Sequence, residues 1–447
     1  MVSGKNTRTL SISLLFLLLP SLALASEGTL QVDFPLWSGS FFVGLLLCIA
    51  IIPLINGDWW GKYFGFVSLG MAIPAAIIVF SKDWHILFNV FTDYISFIIL
   101  LGSLFIIAGG IVIRIGAKGT PKLNTIFLFV GAIFASLIGT TGASMVLLRP
   151  LIRANNWRKH VVHIYIFFIF LVSNIGGSLT PLGDPPLFLG FLKGVPFFWT
   201  LRLIPIWALA VGILLFLFFL LDSYFNKKED SQMALQASQG LPDKTLEIKG
   251  TINFLFLLIV IGAFFLPHIP CLREAVMIAA AGLSIYFTQK ELREENAFTY
   301  HPIKEVAILF AGIFVTMAPV LVMLEMNGAK LGVIQPWHFF WASGTLSSFL
   351  DNAPTYLVFM STAQNVAHTM GIVDNLVVGV PPTLLMAISA GSVFMGANSY
   401  IGNGPNFMVK AICEENGVKM PSFFGYMAWS IAVLEPLFIL VTFVFFI

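Results

Sequence analysis

Two short polar stretches interrupt long apolar segments of this chain, and they carry the residues best suited to chemistry. The first reads SNIGGSLTPLGDPP over residues 173–186, and the second reads GANSYIGNGPN over residues 396–406. When the two are aligned on their glycines, Asp184 falls on Asn403. A membrane tolerates irregular backbone only where it is buried in protein or lines a cavity. Two corresponding breaks in the two halves of a membrane chain therefore indicate a binding site formed by discontinuous helices, as in secondary transporters.

The polar groups at these breaks could bind an ion. A broken helix leaves N–H groups at one stub and C=O groups at the other without helical partners. The first stub favours an anion and the second a cation, and glycines let the backbone approach a ligand closely. The candidate ligands are Ser173, Asn174, Thr180, Gly183 and Asp184 in the first break, and Asn398 and Asn403 in the second.

Two further apolar segments, residues 122–153 and 336–365, are interrupted at their centres by Gly, Pro, Thr, Asp and Asn. This pattern predicts two re-entrant helical hairpins whose polar tips face protein or water. The candidate ligands at the tips are Thr140 and Thr141 in the first hairpin, and Asp351 and Asn352 in the second. Aligning the tips places Asp351 opposite Thr140.

The two acids among these residues are the sharpest candidates. A carboxylate inside a membrane costs about 2.5–3.5 kcal/mol on insertion scales and marks an ion or proton pathway. Asp184 and Asp351 could hold a transported Na⁺ or bind protons, and the two states exclude each other. The alternative is that each acid only caps the helix that follows it, since Asp is a strong N-cap. Glu435, before Pro436 in the last apolar segment, could pair with a helix or take part in gating.

Composition sets the class of protein. Of the 447 residues, 58% are hydrophobic and only 10% are charged, whereas soluble chains carry about 25% charged residues. The chain is therefore expected to be an integral membrane protein embedded in a lipid bilayer. It has no basic face for nucleic acid. Its three cysteines have no metal-site spacing, and no cofactor is expected.

The predicted fold is an all-α polytopic membrane protein with about ten crossing helices, two re-entrant hairpins and two inverted repeats containing discontinuous helices. Because lysines and arginines cluster on one side, the first hairpin is expected to enter from the cytoplasm and the second from outside. The crossing segments are expected near residues 39–56, 63–80, 91–115, 161–195, 199–224, 251–270, 272–288, 303–325, 374–413 and 421–447.

The expected domain order follows from these segments. Residues 1–25 resemble a signal peptide, with an uncleaved first helix as the alternative. A first membrane repeat, 26–225, contains the broken helix 161–195, and a cytoplasmic linker, 226–250, follows it. A second membrane repeat, 251–447, contains the broken helix 374–413. Asp222 is interpreted as an interface residue at a segment end, and His163 as an interface residue with pH sensing as the alternative.

The motifs TTGAS at 140–144, SNIGG…DPP at 173–186, FLDNAPT at 349–355 and GNGPN at 402–406 resemble those of the ion transporter superfamily. Most similar are the NhaD-type sodium/proton antiporters and the citrate transporter-like proteins grouped with them. The resemblance implies scaffold and transport domains, inverted repeats, a homodimer and a multi-pass location in the bacterial inner membrane. The related dicarboxylate symporters carry Ser-Asn-Thr triplets at their tips and breaks, and this chain does not keep them.

Three functions remain open from the sequence. A sodium/proton antiporter and a cation-coupled carrier of citrate or another carboxylate share every motif. A multivalent anion would be helped by Arg or Lys near the breaks, and neither core contains one, so the antiporter is favoured. An intramembrane aspartyl protease using Asp184 and Asp351 is the remote alternative. Proteolysis does not account for the repeats, and the chain is not expected to be an enzyme.

Overall fold

The computed structural model describes residues 32–229, 246–267 and 269–447. The proposed signal peptide and most of the expected linker lie outside these residues. The α-helices are α1 Ser40–Ile55, α2 Gly57–Lys82, α3 Trp84–Ala108, α4 Pro121–Ile138, α5 Thr140–Asn155, α6 Val162–Leu171, α7 Pro185–Leu192, α8 Ile204–Asn226, α9 Ile252–Ala263, α10 Leu272–Phe287, α11 Lys290–Glu295, α12 His301–Asn327, α13 Pro336–Phe349, α14 Asn352–Thr369, α15 Pro382–Phe394, α16 Gly404–Glu415 and α17 Phe423–Phe445. Short 3₁₀ helices span Leu36–Gly39, Ile175–Leu179, Phe197–Leu203, Gly328–Leu331 and Met395–Asn398.

The described residues form an all-α membrane protein. Eight helical stretches among them are long and apolar enough to cross a membrane, since about 20 apolar residues span the hydrocarbon core. Each of the ten expected crossing segments corresponds to one of the helices or to a broken pair of them. The polytopic membrane fold predicted from the sequence is confirmed.

The helices of the two halves follow the same order. Leaving the short α11 aside, α1 to α8 match α9, α10 and α12 to α17 one for one. Proline begins corresponding helices in both halves, at α4 and α13. Proline suits the first helical position because its missing N–H has no partner there anyway. The repetition therefore extends beyond the polar motifs to the apolar helices before them.

The two expected hairpins are present. Helices α4 and α5 meet at Gly139, whose φ of 82° and ψ of 149° form the turn. Their far ends are also adjacent, because the side chains of Asn124 and Asn155 exchange two hydrogen bonds of 3.0 and 2.9 Å. Helices α13 and α14 meet at Leu350 and Asp351, and the rings of Phe339 and Phe359 lie 6.3 Å apart between them. Each pair therefore folds back on itself as an antiparallel hairpin.

Two segment boundaries differ from expectation. The segment expected over 91–115 ends as a helix at Ala108, because two glycines follow, and continues as strand β1, Val112–Ile115. The segment expected over 374–413 becomes helical only at Pro382. The residues before it form a turn in which Asn375 and Val378 have positive φ.

A small antiparallel sheet joins the two halves. Strand β1 pairs with β2, Leu246–Lys249, with Arg114 opposite Glu247. Arg114 also binds Glu295 at the end of α11, over 2.7 Å. The Arg114 guanidinium holds the pKa of the Glu295 carboxyl below its usual range. The segment that follows α3 is thus tied to the segments that precede α9 and α12, outside the membrane-spanning helices.

Candidate functional site

Asp184 lies where both hairpin tips and both helix breaks meet. Its side chain is 1% exposed. Oδ1 accepts hydrogen bonds from Thr140 Oγ1 over 2.9 Å and from Asn403 Nδ2 over 3.1 Å. Oδ2 accepts a short hydrogen bond from Asn352 Nδ2. Three side chains from three different elements therefore converge on one carboxylate.

The Asp184 side chain does not cap the helix that follows it. Asp184 precedes α7, and only its backbone carbonyl accepts N–H groups, from Leu187 and Phe188. The carboxylate makes no capping hydrogen bond. Its oxygens are instead directed at the hairpin tips and the second break, as an ion ligand requires.

The two breaks have nearly the same backbone. Asp184 has φ −144° and ψ 142°, and Asn403 has φ −152° and ψ 138°. Thr180 and Ser399, which directly follow the 3₁₀ turns of the two breaks, also match, with φ −141° and −140°. Residues that align in the two motifs therefore also have matching backbone conformations. Asp184 and Asn403 occupy equivalent positions and touch each other.

The structural alignment of the two hairpin tips differs by one residue from the alignment expected from the sequence. Helix α5 begins at Thr140 after Gly139, and α14 begins at Asn352 after Asp351. Thr140 therefore corresponds to Asn352, and both donate to Asp184. The expected pairing of Asp351 with Thr140 is one residue out of register, because no helix pattern marks a hairpin tip to that accuracy.

Asp351 does cap its helix. Its carboxylate accepts a hydrogen bond from the backbone N–H of Ala353 over 3.0 Å. Asp351 also directly precedes Asn352, whose amide donates to Asp184, so both acids belong to the same cluster. Among the described residues, no lysine, arginine or histidine forms an ion pair with either acid. Together these acids form a carboxylate-containing cluster that no described basic side chain neutralises.

Close backbone crossings shape both breaks. A Cβ atom on Gly183 would overlap the carbonyl of Gly177, and one on Gly402 would approach the carbonyl of Gly396. Only glycine fits where two backbone strands approach this closely. The paired glycines of each motif therefore allow the two ends of each break to cross, which places Asp184 and Asn403 at the centre.

A layer of asparagines supports the carboxylate. Asn403 Nδ2 also lies 3.1 Å from the Ser173 carbonyl and 3.2 Å from Asn174 Oδ1. Asn174 Nδ2 donates to Asn406 Oδ1 over 2.7 Å. Asn406 in turn donates to two carbonyls of its own break, those of Gly396 and Ser399. The chain of amides fixes the Asn403 donor and connects the two breaks.

Two of the candidate ligands lie outside this cluster. Thr180 donates to the Ser136 carbonyl of α4 and does not reach Asp184. Asn398 bonds with Ser348 and Glu435. Thr180 shares its arrangement with Ser399, which donates to the Ser348 carbonyl of α13. Both hydroxyls thus tie a break to the first helix of its own hairpin.

A small cavity of about 60 Å³ reaches the site from the first hairpin. Its walls include Thr140 and Thr141 at the tip, Gly183 beside Asp184, and residues of α3 and α12 such as Leu104 and Ile303. No charged side chain lines it. The volume suits a few water molecules or a small ion, because one water needs about 10–15 Å³ of such space.

One buried oxygen near the carboxylate lacks a partner. Asn352 is fully buried, and its Oδ1 accepts no hydrogen bond within the part of the chain that the structure describes. An amide oxygen and a carboxylate are oxygen ligands of the kind that hard cations prefer. The described residues contain no group of three or more His, Cys, Asp or Glu side chains that could together hold a metal ion. The arrangement suits weak, reversible binding of one small cation or proton.

Sequence reasoning missed some members of the site. Asn406 is one of the neutral polar residues of the second break, but it is not among the candidate ligands; its signal is a second asparagine shortly after Asn403. Ser144 shares a hydrogen bond of 2.8 Å with Ser173. Its signal is a polar residue in an otherwise small, apolar turn.

Two interface assignments were wrong. His163 and Asp222 are buried, and His163 Nε2 lies 2.8 Å from Asp222 Oδ1. Arg158 Nη2 lies 2.6 Å from the same oxygen, with both side chains completely buried. Asn124 of the first hairpin donates to the other oxygen of Asp222. These residues pack inside the protein because the ends of α4, α6 and α8 converge.

Comparison with known proteins places this geometry in context. No curated protein matches the chain. Residues 31–446 match the sequence profile of a family described as "Putative citrate transport". The match spans nearly the whole chain, including both hairpins and both breaks. The protein therefore belongs to this family of membrane transporters.

Proposed function

We propose that the protein is a sodium/proton antiporter in which Na⁺ and H⁺ compete for the carboxylate of Asp184. The observation that carries this proposal is the environment of that carboxylate. It is buried, it accepts three hydrogen bonds from uncharged side chains, and no described basic side chain neutralises it. A buried carboxylate without a countercharge binds either a proton or a cation.

The surrounding groups suit this exchange. Thr140 and Asn352 each have an oxygen beside the carboxylate, and the Asn352 oxygen is unpartnered among the described residues. A bound Na⁺ would be held by Asp184 and these neutral oxygens, with the Asp351 side chain directly before Asn352 at the second hairpin tip. When Asp184 is protonated, the charge that holds the cation is lost, so the cation leaves. Competition for one carboxylate therefore couples the transport of Na⁺ to that of H⁺ without a second binding site.

The position of the site supports alternating access. The small cavity lies between the first hairpin tip and helices α3 and α12, and the second hairpin tip contacts Asp184 through Asn352. We infer two inverted membrane repeats, residues 26–225 and 251–447, whose tips open to opposite sides. We also infer a homodimer in a bacterial inner membrane, which the family resemblance implies.

A cation-coupled citrate or carboxylate carrier is the second candidate, and the family's description favours it. Free N–H groups at the breaks could bind a carboxylate. The cavity has no basic residue, however, and its volume of about 60 Å³ is far below the 300–1,000 Å³ of sites for drug-sized ligands. These two features favour a bare cation. An intramembrane protease is disfavoured because the family is one of transporters.

The test is transport by the purified full-length chain in liposomes. An imposed pH gradient is followed by addition of Na⁺, Li⁺ or K⁺, and then of citrate, while internal pH is recorded. We expect Na⁺ alone to move protons. The half-saturating Na⁺ concentration should rise by about tenfold for each unit by which the pH is lowered, in the pH range where the proton occupies the site. One-to-one competition between Na⁺ and H⁺ requires this dependence.

Two outcomes would contradict the antiporter. A half-saturating Na⁺ concentration that does not change across the pH series would exclude competition at one group. Proton movement that appears only after citrate is added would favour the carboxylate carrier. The Asp184→Asn variant, reconstituted at the same density, is the matched control for leak.

A further inference from the structure

A further carboxylate, besides those of Asp184 and Asp351, lies within a helix long and apolar enough to cross the membrane. Glu435 stands inside α17, directly before Pro436. Its Oε1 accepts a hydrogen bond from Asn398 Nδ2 over 3.0 Å. Asn398 is the last residue of the 3₁₀ turn in the second break. An ionisable side chain within a crossing helix is costly and marks a functional position.

Asn398 connects this carboxylate to the second hairpin. Its Nδ2 also donates to Ser348 Oγ over 3.0 Å. Its backbone carbonyl accepts a hydrogen bond from Ser430 of α17 over 2.7 Å. The side chain is 7% exposed, and its Oδ1 has no hydrogen-bond partner in the described part of the chain. A buried acceptor beside Glu435 is therefore available to a proton donor.

The first half of the chain lacks this arrangement. Leu179 ends the 3₁₀ turn of the first break, and Phe216 stands as far into α8 as Glu435 stands into α17. The serine is retained, but Ser136 Oγ accepts the backbone N–H of Leu179 over 3.0 Å instead. The acid and its amide partner thus occur together in one half only, at positions that touch.

No basic residue neutralises Glu435 among the described residues. Helix α17 packs against α8, the turn Met395–Asn398, α13 and α6. The titratable groups on these elements, on the second break and on α17 itself are Asp222 and Tyr224, His338, His163 and Tyr165, Tyr400 and Tyr426. The side-chain hydrogen bond that Glu435 makes is with Asn398.

We propose that Glu435, with Asn398 and Ser348, forms a second proton-binding site that is connected to the second break and its hairpin. The ionised carboxylate accepts a hydrogen bond from the Asn398 amide nitrogen. The protonated carboxyl can donate to the unpartnered amide oxygen after the amide turns over. Binding or release of the proton therefore changes the hydrogen bonding of a residue in the second break. The proposal does not depend on which ion Asp184 binds.

The test is infrared difference spectroscopy of the full-length protein in lipid bilayers, recorded across a pH titration. A carboxylic-acid carbonyl band that disappears as pH rises reports the release of a proton. We expect Glu435→Gln to remove one such band. Asp184→Asn should leave that band in place, so a failure of the proposed antiport at Asp184 does not affect the result. Glu414→Gln, at an exposed position paired with Lys410, is the matched control.

A second variant tests the connection to the break. Asn398→Leu introduces the residue that the first half carries at this position and removes the donor to the ionised carboxylate. We expect the Glu435 band to titrate about one pH unit higher, because a hydrogen bond to a charged group favours its ionised form by roughly that amount. Unchanged spectra in Glu435→Gln would overturn the proton site. An unshifted titration in Asn398→Leu would overturn its connection to the break.

Discussion

Asn403 donates a hydrogen bond to the carboxylate of Asp184 over 3.1 Å, although the two residues hold the same position in opposite halves of the chain. Their backbones match within a few degrees. If both equivalent positions held acids, two like charges would be in contact, and if both held amides, neither position could carry a charge. One acid and one amide give this pair of equivalent positions a single ionisable group.

This relationship predicts that the charge can be moved between the halves. Asp184→Asn should insert normally and lose Na⁺-driven proton flux, because the site then holds no carboxylate at its centre. The exchanged variant, Asp184→Asn with Asn403→Asp, should regain part of that flux because the two positions are equivalent. Proton flux in liposomes, normalised to reconstituted protein, checks both variants. Full activity in Asp184→Asn would leave Asp184 without a role in exchange.

Asn403→Asp alone should shift the pH dependence. Two carboxylates within hydrogen-bonding distance cannot both ionise, so the pair retains a proton to higher pH. Sodium-driven exchange should therefore begin at a higher pH than in the natural protein, by at least about one unit. A pH series of half-saturating Na⁺ concentrations measures the shift. Asn416→Asp, at an exposed helix end, is the control, and an equal profile in the two variants would contradict the prediction.

The two hairpins should open to opposite sides of the membrane. Lys122 lies at the open end of the first hairpin and Met370 at the open end of the second, and both are exposed. In a variant without the three native cysteines, Lys122→Cys should react with an impermeant maleimide only from the cytoplasm, and Met370→Cys only from outside. Reaction of both from one side would contradict the inverted repeats.

The buried ion pair of Arg158 and Asp222 should be essential for stability. Asp222→Ala leaves the completely buried Arg158 without its partner, which should lower the free energy of unfolding by about 3–5 kcal/mol. Glu414→Ala breaks the partly exposed pair with Lys410 and should cost less than about 1 kcal/mol. Thermal unfolding of the purified variants compares the two. Equal midpoints would contradict the prediction.

The first hairpin tip should require glycine. Gly139 adopts φ 82° and ψ 149°, a conformation that side-chain-bearing residues rarely adopt, and such strain costs about 1–3 kcal/mol. Gly139→Ala should destabilise the protein by that amount and displace Thr140 from Asp184. Gly212→Ala, in open space within α8, should be neutral or slightly stabilising. The unfolding midpoints of both variants, with Na⁺-driven flux for Gly139→Ala, make the comparison.

The sequence was sufficient to predict the membrane fold, both breaks and both hairpins, because glycines, prolines and polar residues clustered inside an apolar segment rarely leave its helix intact. The sequence alignment showed that Asp184 and Asn403 hold equivalent positions, but it could not show that their side chains are in contact. The roles of Asn352 and Asn398 could not be separated, since both are single asparagines beside a turn, and only packing decides which carboxylate each one reaches. The predicted alignment of the two hairpin tips was wrong by one residue, because an offset of one residue does not change the hydropathy pattern. His163 and Asp222 were misassigned because polar residues occur both at helix ends that are buried among other helices and at helix ends in water, and the sequence does not distinguish the two.

The donors to Asp184 are separated widely in the order of synthesis. Thr140 precedes it, whereas Asn352 and Asn403 follow it by 168 and 219 residues. At about 5–20 residues per second, a ribosome adds these two amides roughly ten seconds or more after Asp184. During that interval the first half enters the membrane with a carboxylate that lacks two of its three donors. The proposed ion site is therefore completed late in biogenesis, and a chain truncated after the first half would lack the Asn352 and Asn403 donors.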